Sequence, residues 1–320
     1  MPSLKEIKTR IASVNNTRKI TSAMKMVASS KLHHAQSAIE SMLPYEGMLE
    51  HMLSSFLAAT PEADTPFSVE RPIKRVALIV FSSSSSLCGG FNTNIIKAMH
   101  QAIKSYQEQG VSKENITIYP VGRKVYENAK KIGYTIVYPY PELAEKPNSE
   151  DARKLAIEVS QKWADGEFDK VELIYHHFKS AGTQILMRKT FLPIDINAEL
   201  SSDKERDLDS SLFKSTSIQN NKNTSMEKPA PLNLLNDYFI IEPDTRTVLL
   251  SLVPRLLHHM IYTANLDSNA SEHAARMVAM QTATDNADEL LRTLNLQYNK
   301  SRQAAITSEL LDIMGGSVNS

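Results

Sequence analysis

The sequence predicts an α/β protein in which the two terminal helices form a long antiparallel coiled coil and the middle of the chain forms an α/β domain. Two stretches, Ser3 to Leu43 and Arg255 to Met314, contain neither glycine nor proline. Proline costs about 3 kcal/mol and glycine about 1 kcal/mol inside a helix, so these stretches indicate two long helices. Eight of the ten glycines fall between them, where apolar β-branched runs alternate with helical patterns.

Residues 1–60 are predicted to form the N-terminal coiled-coil helix. Their apolar positions are three and four residues apart, which is the heptad spacing of a coiled-coil seam. The stripe comprises Leu4, Ile7, Ile11 and Val14 and, after a slip in phase, Ile20, Met24 and Val27. The slip predicts a coil that departs from uniform supercoiling.

Residues 72–242 are predicted to form a central Rossmann-like α/β domain. Alternating strands and helices favour right-handed β-α units and a mostly parallel sheet. The predicted strands are residues 75–82, 116–121, 171–178, 184–192 and 238–241. The predicted helices are residues 93–109, 123–131 and 151–165. Residues 201–228 are polar and rich in Ser, Asn and Lys, which predicts a flexible, exposed insertion.

Residues 245–320 are predicted to form the C-terminal coiled-coil helix, on the order of 100 Å long at about 1.5 Å per residue. A helix of that length exceeds the width of a small domain, so we expect it to project from its own globule. Its apolar stripe comprises Met277, Met280, Thr284, Ala287, Leu291, Leu294 and Tyr298 and, after a slip, Ile306, Leu310 and Ile313. The two terminal stripes satisfy each other if the helices pair antiparallel.

The charge and cysteine counts exclude several classes of protein. The chain has 36 basic and 36 acidic residues, and this zero net charge argues against general nucleic-acid binding. A single cysteine, Cys88, excludes an internal disulfide and any zinc site that needs two thiolates from one chain. No run of 18 apolar residues occurs, and Met1 to Arg10 lack the apolar stretch of a signal peptide. We therefore expect a soluble protein without a metal site.

The segment from Ser83 to Asn92 lies between a predicted strand and a predicted helix, where an α/β fold places a phosphate-binding loop. Neither the three spaced glycines of a dinucleotide fingerprint nor a Gly-Lys-Ser/Thr ending is present, so we favour a tight turn. Cys88 in this loop is interpreted as structural, because a nucleophilic thiol needs an aligned histidine. The nearest candidates, His176 and His177, are adjacent on a strand and face opposite sides. We predict no catalytic residue and no cofactor site.

The N-terminal helix carries a local excess of positive charge. Glu6 is the only acid between Ser3 and Ala38. The seven bases in that segment are Lys5, Lys8, Arg10, Arg18, Lys19, Lys25 and Lys31. Exposed helices usually mix signs at i, i+4 spacing, so this excess predicts an acidic partner surface. No aromatic residue is interleaved among the bases to stack on nucleic acid.

Three segments identify a family resemblance. Residues 7–36 (IKTRIASVNNTRKITSAMKMVASSKLHHAQ), 271–316 (SEHAARMVAMQTATDNADELLRTLNLQYNKSRQAAITSELLDIMGG) and 87–92 (LCGGFN) resemble the N-terminal helix, the C-terminal helix and the central-domain loop of the gamma subunits of F-type ATP synthases. The family usually has Asp-Arg-Gly before Leu-Cys-Gly, whereas this chain has Ser84, Ser85 and Ser86.

The resemblance implies a central-stalk rotor. In such enzymes the coiled coil stands inside a ring of three alpha and three beta subunits, and the α/β domain rests with the epsilon subunit on the membrane-embedded c-ring. Proton flow turns the rotor, and the rotor drives ATP synthesis in the beta subunits. The implied protein is one copy per complex, has no catalytic residue or cofactor of its own, and is peripheral at the cytoplasmic face of the bacterial inner membrane.

The resemblance also implies six contacts with the beta subunit, in two groups. The group near an acidic loop of beta is Met24, Lys25 and Arg276. The group higher on the shaft, near the beta catch loops, is Gln303, Thr307 and Glu309. The C-terminal tail beyond Tyr298 is expected to outrun the N-terminal helix and to turn within an apolar bearing.

Two other classes follow from the residues alone. One is a nucleotide-dependent α/β-domain enzyme with a helical dimerisation arm, which the binding of a nucleotide or NAD by the isolated chain would support. The other is a plain coiled-coil scaffold, which leaves the alternating middle of the chain unexplained. The main direction of catalysis and the choice between proton and sodium depend on other subunits.

Overall fold

A computed structural model describes residues 3–59, 67–138, 140–194, 242 and 244–318. The predicted strand 238–241 and the predicted insertion 201–228 lie outside these residues. The chain divides into two compact units. Unit 1 comprises Met1–Ser30 and Arg276–Ser320, and unit 2 comprises Lys31–Ala275.

Two long helices contribute to both units. Helix α1 spans Leu4–Ala59 and helix α5 spans Thr245–Val318. In unit 1 they run antiparallel, as predicted. Arg18 Nη1 lies 3.0 Å from Asp288 Oδ1, and Thr21 Oγ1 lies 2.8 Å from Thr284 Oγ1. A step of three residues forward along α1 thus matches a step of four residues backward along α5.

The seam of α1 keeps a single heptad phase, so the predicted slip after Val14 was wrong. Ile20 and Val27 are 60% and 58% exposed. The buried and half-buried seam positions are Leu4, Ile7, Ile11, Val14, Arg18, Thr21, Lys25 and Ala28. The prediction followed apolar side chains, whereas the coil accepts an ion pair and a Thr–Thr hydrogen bond at two of its seam positions.

The seam of α5 matches the prediction from Met277 to Tyr298, where every predicted position is buried or half-buried. It then continues through Ser301 and Ala305 in the same phase, so the second predicted slip was also wrong. Every side chain that the structure describes beyond Ala305 is exposed. Continuing the α1–α5 register places Leu4 level with residue 301 or 302. The end of α5 therefore extends past the described start of α1, as expected for the tail.

Unit 2 contains a five-stranded sheet in the order β3-β2-β1-β4-β5. The strands are β1 (Val76–Phe81), β2 (Ile116–Val121), β3 (Thr135–Ile136), β4 (Lys170–Ser180) and β5 (Thr183–Leu192). Strands β1 to β4 are parallel, and β5 pairs antiparallel with β4. This agrees with the predicted mostly parallel sheet. Strand β3 was missed because two residues are too few to show the two-residue period of a strand.

Three shorter helices and two apolar cores complete unit 2. The helices are α2 (Phe91–Glu108), α3 (Arg123–Ile132) and α4 (Ser149–Ala164), with a 3-10 turn at Lys113–Asn115. Alternate residues of β1 point to opposite faces of the sheet. Helices α2 and α3 cover one face, and α4 covers the other together with Leu53 of α1 and Leu257 of α5. Both long helices are thus part of the core of unit 2.

Gly122, between β2 and α3, fills a position where a side chain does not fit. Its φ is +110°, and an added Cβ would lie 2.1 Å from the backbone oxygen of Ser82. We expect Gly122→Ala to lower the free energy of unfolding by about 2–4 kcal/mol, because the backbone strain adds to the clash. Urea denaturation of the purified chain measures this loss.

Gly110 is the matched control for Gly122. It also has a positive φ, +92°, but an added Cβ would meet no atom within 4 Å. Gly110→Ala therefore carries the backbone strain alone, about 1–2 kcal/mol. Equal losses at the two glycines would contradict the close approach between the end of β1 and Gly122.

Candidate functional site

The six residues expected to contact a partner all belong to unit 1. Met24 and Lys25 of α1 and Arg276 of α5 are half-buried. Continuing the register of the Thr21–Thr284 pair places Met24 level with residue 281. That position is five residues from Arg276, or roughly 8 Å along the coil axis. The coil therefore places the first group at nearly the same height along its axis.

Gln303, Thr307 and Glu309 are exposed and lie farther along α5. Thr307 Oγ1 donates to the backbone oxygen of Gln303 over 2.9 Å, so these two residues share one face. Glu309 is about 200° around the helix from Thr307. Gln303 follows Arg276 by 27 residues, roughly 40 Å of helix. The two groups are therefore separate contact points at different heights.

The basic surface of α1 is less extensive than the sequence count indicates, because Arg18 pairs with Asp288 across the coil. Both side chains are about half exposed, so this ion pair contributes at most about 1 kcal/mol. Of the remaining bases, Lys25 is half-buried and the others are exposed. Within the described part of the chain, none of them forms an ion pair with an acid. The outward face of α1 is thus a source of positive potential for an acidic partner.

The sequence reasoning missed an outward apolar row on α1, which comprises Ile20, Ala23 and Val27. All three are exposed, and their spacing places them on one face, opposite the seam. Leu310 and Met314, near the end of α5, are 56% and 68% exposed. Contiguous exposed apolar surface marks an interaction site. The signal was in the sequence, because a seam that continues in phase from Val14 leaves this row outside.

The loop between β1 and α2 is held by its own side chains. Asn92 Nδ2 lies 3.0 Å from Cys88 Sγ and donates to Ser83 Oγ over 2.7 Å. Cys88 is buried. The two strand histidines have other partners: His177 Nδ1 is 2.8 Å from Asp267 Oδ2, and the His176 ring centroid lies 4.5 Å from that of Phe91, at the α2 end of the loop. These contacts favour the tight turn over a reactive thiol.

Burial sets the ionisation of His176. It lowers the pKa of this side chain from 6.5 to about 4. Below pH 6.5 the unfolded chain binds a proton that the folded chain does not bind until about pH 4, so stability falls as pH falls through this window. We expect His176 to account for a loss of about 2 kcal/mol between pH 7 and pH 5, measured by urea denaturation at both values.

Two variants test this pH dependence. His176→Asn should flatten the fall in stability between pH 7 and pH 5, whereas His33→Asn, at an exposed position of α1, should leave it unchanged. An unchanged pH dependence in His176→Asn would show that other groups control it.

Among the described residues, no three His, Cys, Asp or Glu side chains are grouped to hold a metal ion. No described helix has a segment long and apolar enough to cross a membrane.

Known proteins match this chain over nearly its whole length. A family model described as ATP synthase matches residues 3–318. The ATP synthase gamma chain of Bacteroides fragilis is 51% identical over 318 residues, which cover 99% of this chain and 100% of the relative. The corresponding protein of Phocaeicola vulgatus is 50% identical over the same shares of both chains.

Solved structures show the same similarity. A chain in the central stalk and c-ring structure of the Tetrahymena thermophila mitochondrial ATP synthase matches with a TM-score of 0.53 and 25% identity, over 82% of this chain and 99% of that one. A chain in the Euglena gracilis mitochondrial ATP synthase rotor has a TM-score of 0.56 at 17% identity, over 95% of this chain and 98% of that one, and shares the fold. With half of its residues identical to full-length relatives, the chain belongs to the ATP synthase gamma-chain family.

Proposed function

We propose that this chain is the axle through which proton flow across a membrane drives ATP synthesis at the catalytic sites of partner beta subunits. Membership of the gamma-chain family makes the chain a rotary central stalk and a non-catalytic subunit. The observation that carries the coupling role is the antiparallel coil of unit 1. It presents unbalanced basic charge and exposed apolar side chains on its outside.

The partners that fit this surface are three alpha and three beta subunits around one copy of the chain. An acidic loop of beta is complementary to the outward bases and lies beside Met24, Lys25 and Arg276. The beta catch loops lie beside Gln303, Thr307 and Glu309, roughly 40 Å away. The exposed apolar tail of α5 turns in a bearing formed by the ring.

The α/β domain rests on the c-ring together with the epsilon subunit. The Tetrahymena thermophila structure to which this chain is similar contains the central stalk together with a c-ring, which supports this placement. The close relatives are bacterial proteins. The complex is therefore placed at the cytoplasmic face of the bacterial inner membrane, where this chain is peripheral.

Coupling by an axle requires that its contacts differ among the three beta subunits. A rotor can change the conformation of a catalytic site only if its interaction free energy differs between the conformations that the site can adopt. The two helices of unit 1 present different outward surfaces. The outside of α1 is basic with one apolar row, whereas α5 carries outward acids such as Asp285 and Glu289. Each orientation of the coil therefore presents a different surface to a given beta subunit.

Co-expression with the neighbouring alpha and beta subunits tests this function. The expected product is a stable complex with one copy of the chain, in which a probe attached to the chain rotates when ATP is added. The rival enzyme predicts instead that the isolated chain binds a nucleotide or NAD. Failure to join alpha and beta subunits, or turnover of a substrate by the chain alone, would overturn the proposal.

A further inference from the structure

Within unit 2, helix α5 is buried on every side over three turns. All twelve residues from Thr263 to Ala274 are buried. A helix buried all round is normally apolar. Eight of these twelve residues are polar instead: Thr263, Asn265, Asp267, Ser268, Asn269, Ser271, Glu272 and His273. Buried polar side chains need specific hydrogen-bond partners, so this segment is held by directional contacts as well as by packing.

One face of the segment is bonded to the turn that precedes α4. Asn265 Nδ2 donates to the backbone oxygen of Leu143 over 3.0 Å, and Asn269 Nδ2 donates to that of Ala144 over 2.9 Å. The two asparagines are four residues apart and so lie about 40° apart around the helix. The two asparagines therefore bond to two successive backbone carbonyls of the same turn.

The opposite face is bonded to β4. Asp267 Oδ2 lies 2.8 Å from His177 Nδ1, and Ser271 Oγ donates to the backbone oxygen of His176 over 3.2 Å. Asp267 is about 200° around the helix from Asn265. Two pairs of hydrogen bonds therefore hold α5 from opposite sides, in the same three turns.

We propose that Asn265, Asn269, Asp267 and Ser271 form a torque joint that fixes the rotational setting of α5 within the α/β domain. Hydrogen bonds are directional, unlike apolar packing, and weaken steeply with misalignment. Twisting α5 about its own axis would pull these buried groups off their partners, which is costly in a water-excluded site. Because α5 continues past Ala274 into unit 1, the joint transmits rotation between the α/β domain and the coil. This role rests on the proposed rotor function.

Single-molecule rotation of the assembled complex tests the torque joint. The alpha–beta ring is fixed to a surface, and a bead is attached to the α/β domain through Lys131→Cys on the exposed end of α3. Cys88 is the chain's one other cysteine and is buried, so the label is specific. The measurement is the angular variance of the bead during pauses between ATP-driven steps.

The test variant is the double substitution Asn265→Leu and Asn269→Leu, which keeps a side chain branched at Cγ and removes both donors. The variance is expected to rise roughly twofold or more, since one side of the joint loses its directional bonds. Pumping of protons per ATP hydrolysed, measured in vesicles with the whole enzyme, is expected to fall alongside it.

Asp169→Ala is the matched control. The Asp169 carboxylate is buried in unit 2 and accepts from the backbone amides of Lys74 and Arg75 over 3.1 and 2.9 Å. Its loss removes these two hydrogen bonds and a 3.8 Å ion pair with Arg75, none of which involves α5. It should lower thermal stability as the double variant does, without widening the angular variance. An equal widening in both would show that general destabilisation, and not the joint, controls the angle.

If the double variant does not assemble, Ser271→Ala removes a single hydroxyl and is expected to widen the variance by a smaller factor. A variance equal to that of the unsubstituted chain in whichever variant assembles would overturn the torque joint while leaving the rotor function intact. A complex of the unsubstituted chain that does not rotate would overturn the rotor function, and the joint with it.

Discussion

Leu294→Pro is expected to abolish assembly of the chain with the proposed alpha and beta partners. Leu294 is 4% exposed and lies in the seam of unit 1. Proline inside a helix removes a backbone hydrogen bond and clashes with the carbonyl four residues before it, at a cost of about 3 kcal/mol or more. Loss of the buried leucine adds about 2–5 kcal/mol. The sum is comparable with the whole stability of a typical domain, about 5–15 kcal/mol.

Co-purification with alpha and beta subunits measures this effect, and two variants separate its causes. Leu294→Ala removes the seam side chain without breaking the helix, and should reduce assembly only in part. Leu296→Pro breaks the helix at a side chain that is 67% exposed, and should fail to assemble as Leu294→Pro does. Recovery of an intact, active complex with either proline would contradict the role of α5 as a continuous shaft.

Arg276→Glu is expected to reduce ATP synthesis by roughly tenfold while leaving most assembly intact. Arg276 is half-buried at the start of the α5 part of unit 1, close along the axis to Met24 and Lys25. The reversed charge would replace attraction to the proposed acidic beta loop with repulsion. A change of about 1.4 kcal/mol in that contact is enough for a tenfold effect, and partly buried charges reach this scale.

Arg292→Glu is the control for the charge reversal. Arg292 is an exposed base on the same helix, sixteen residues farther along, and is not assigned to the acidic loop. It should leave synthesis close to that of the unsubstituted complex. Synthesis and hydrolysis are measured in membrane vesicles, with assembly scored by the amount of chain retained. Normal coupling in Arg276→Glu would remove this residue from the proposed beta interface.

The sequence predicted the coil and most of its seam, but not the seam of α1 beyond Val14 or that of α5 beyond Tyr298. Glycine- and proline-free stretches and three-four spacing are local properties, and they correctly gave two antiparallel helices. At Arg18 and Thr21 the pattern misled, because their partners, Asp288 and Thr284, lie far away in the chain. A polar residue in a seam is acceptable only when such a partner is present, and sequence spacing does not show the partner.

The candidate site was also predicted only in part from the sequence. The six expected beta contacts and their division into two groups came from resemblance, and the structure shows which of these side chains are half-buried and which are exposed. The sequence pattern assigned Ile20 and Val27 to the seam, whereas the structure exposes both. A seam that continues in phase from Val14 already turns this row outward, and the packing against α5 selects that phase over the slipped one.

The sequence by itself determined the two terminal helices, the alternating α/β domain between them and the family. These depend on local propensity, on periodicity and on side-chain identity at each position. The tertiary structure alone decided that residues 263–274 of α5 are buried all round. A polar segment is predicted to be solvent-exposed because the sequence does not show which groups will form hydrogen bonds with it. Here those partners, in β4 and in the turn before α4, are 90 to 125 residues away, and only folding brings them to the helix.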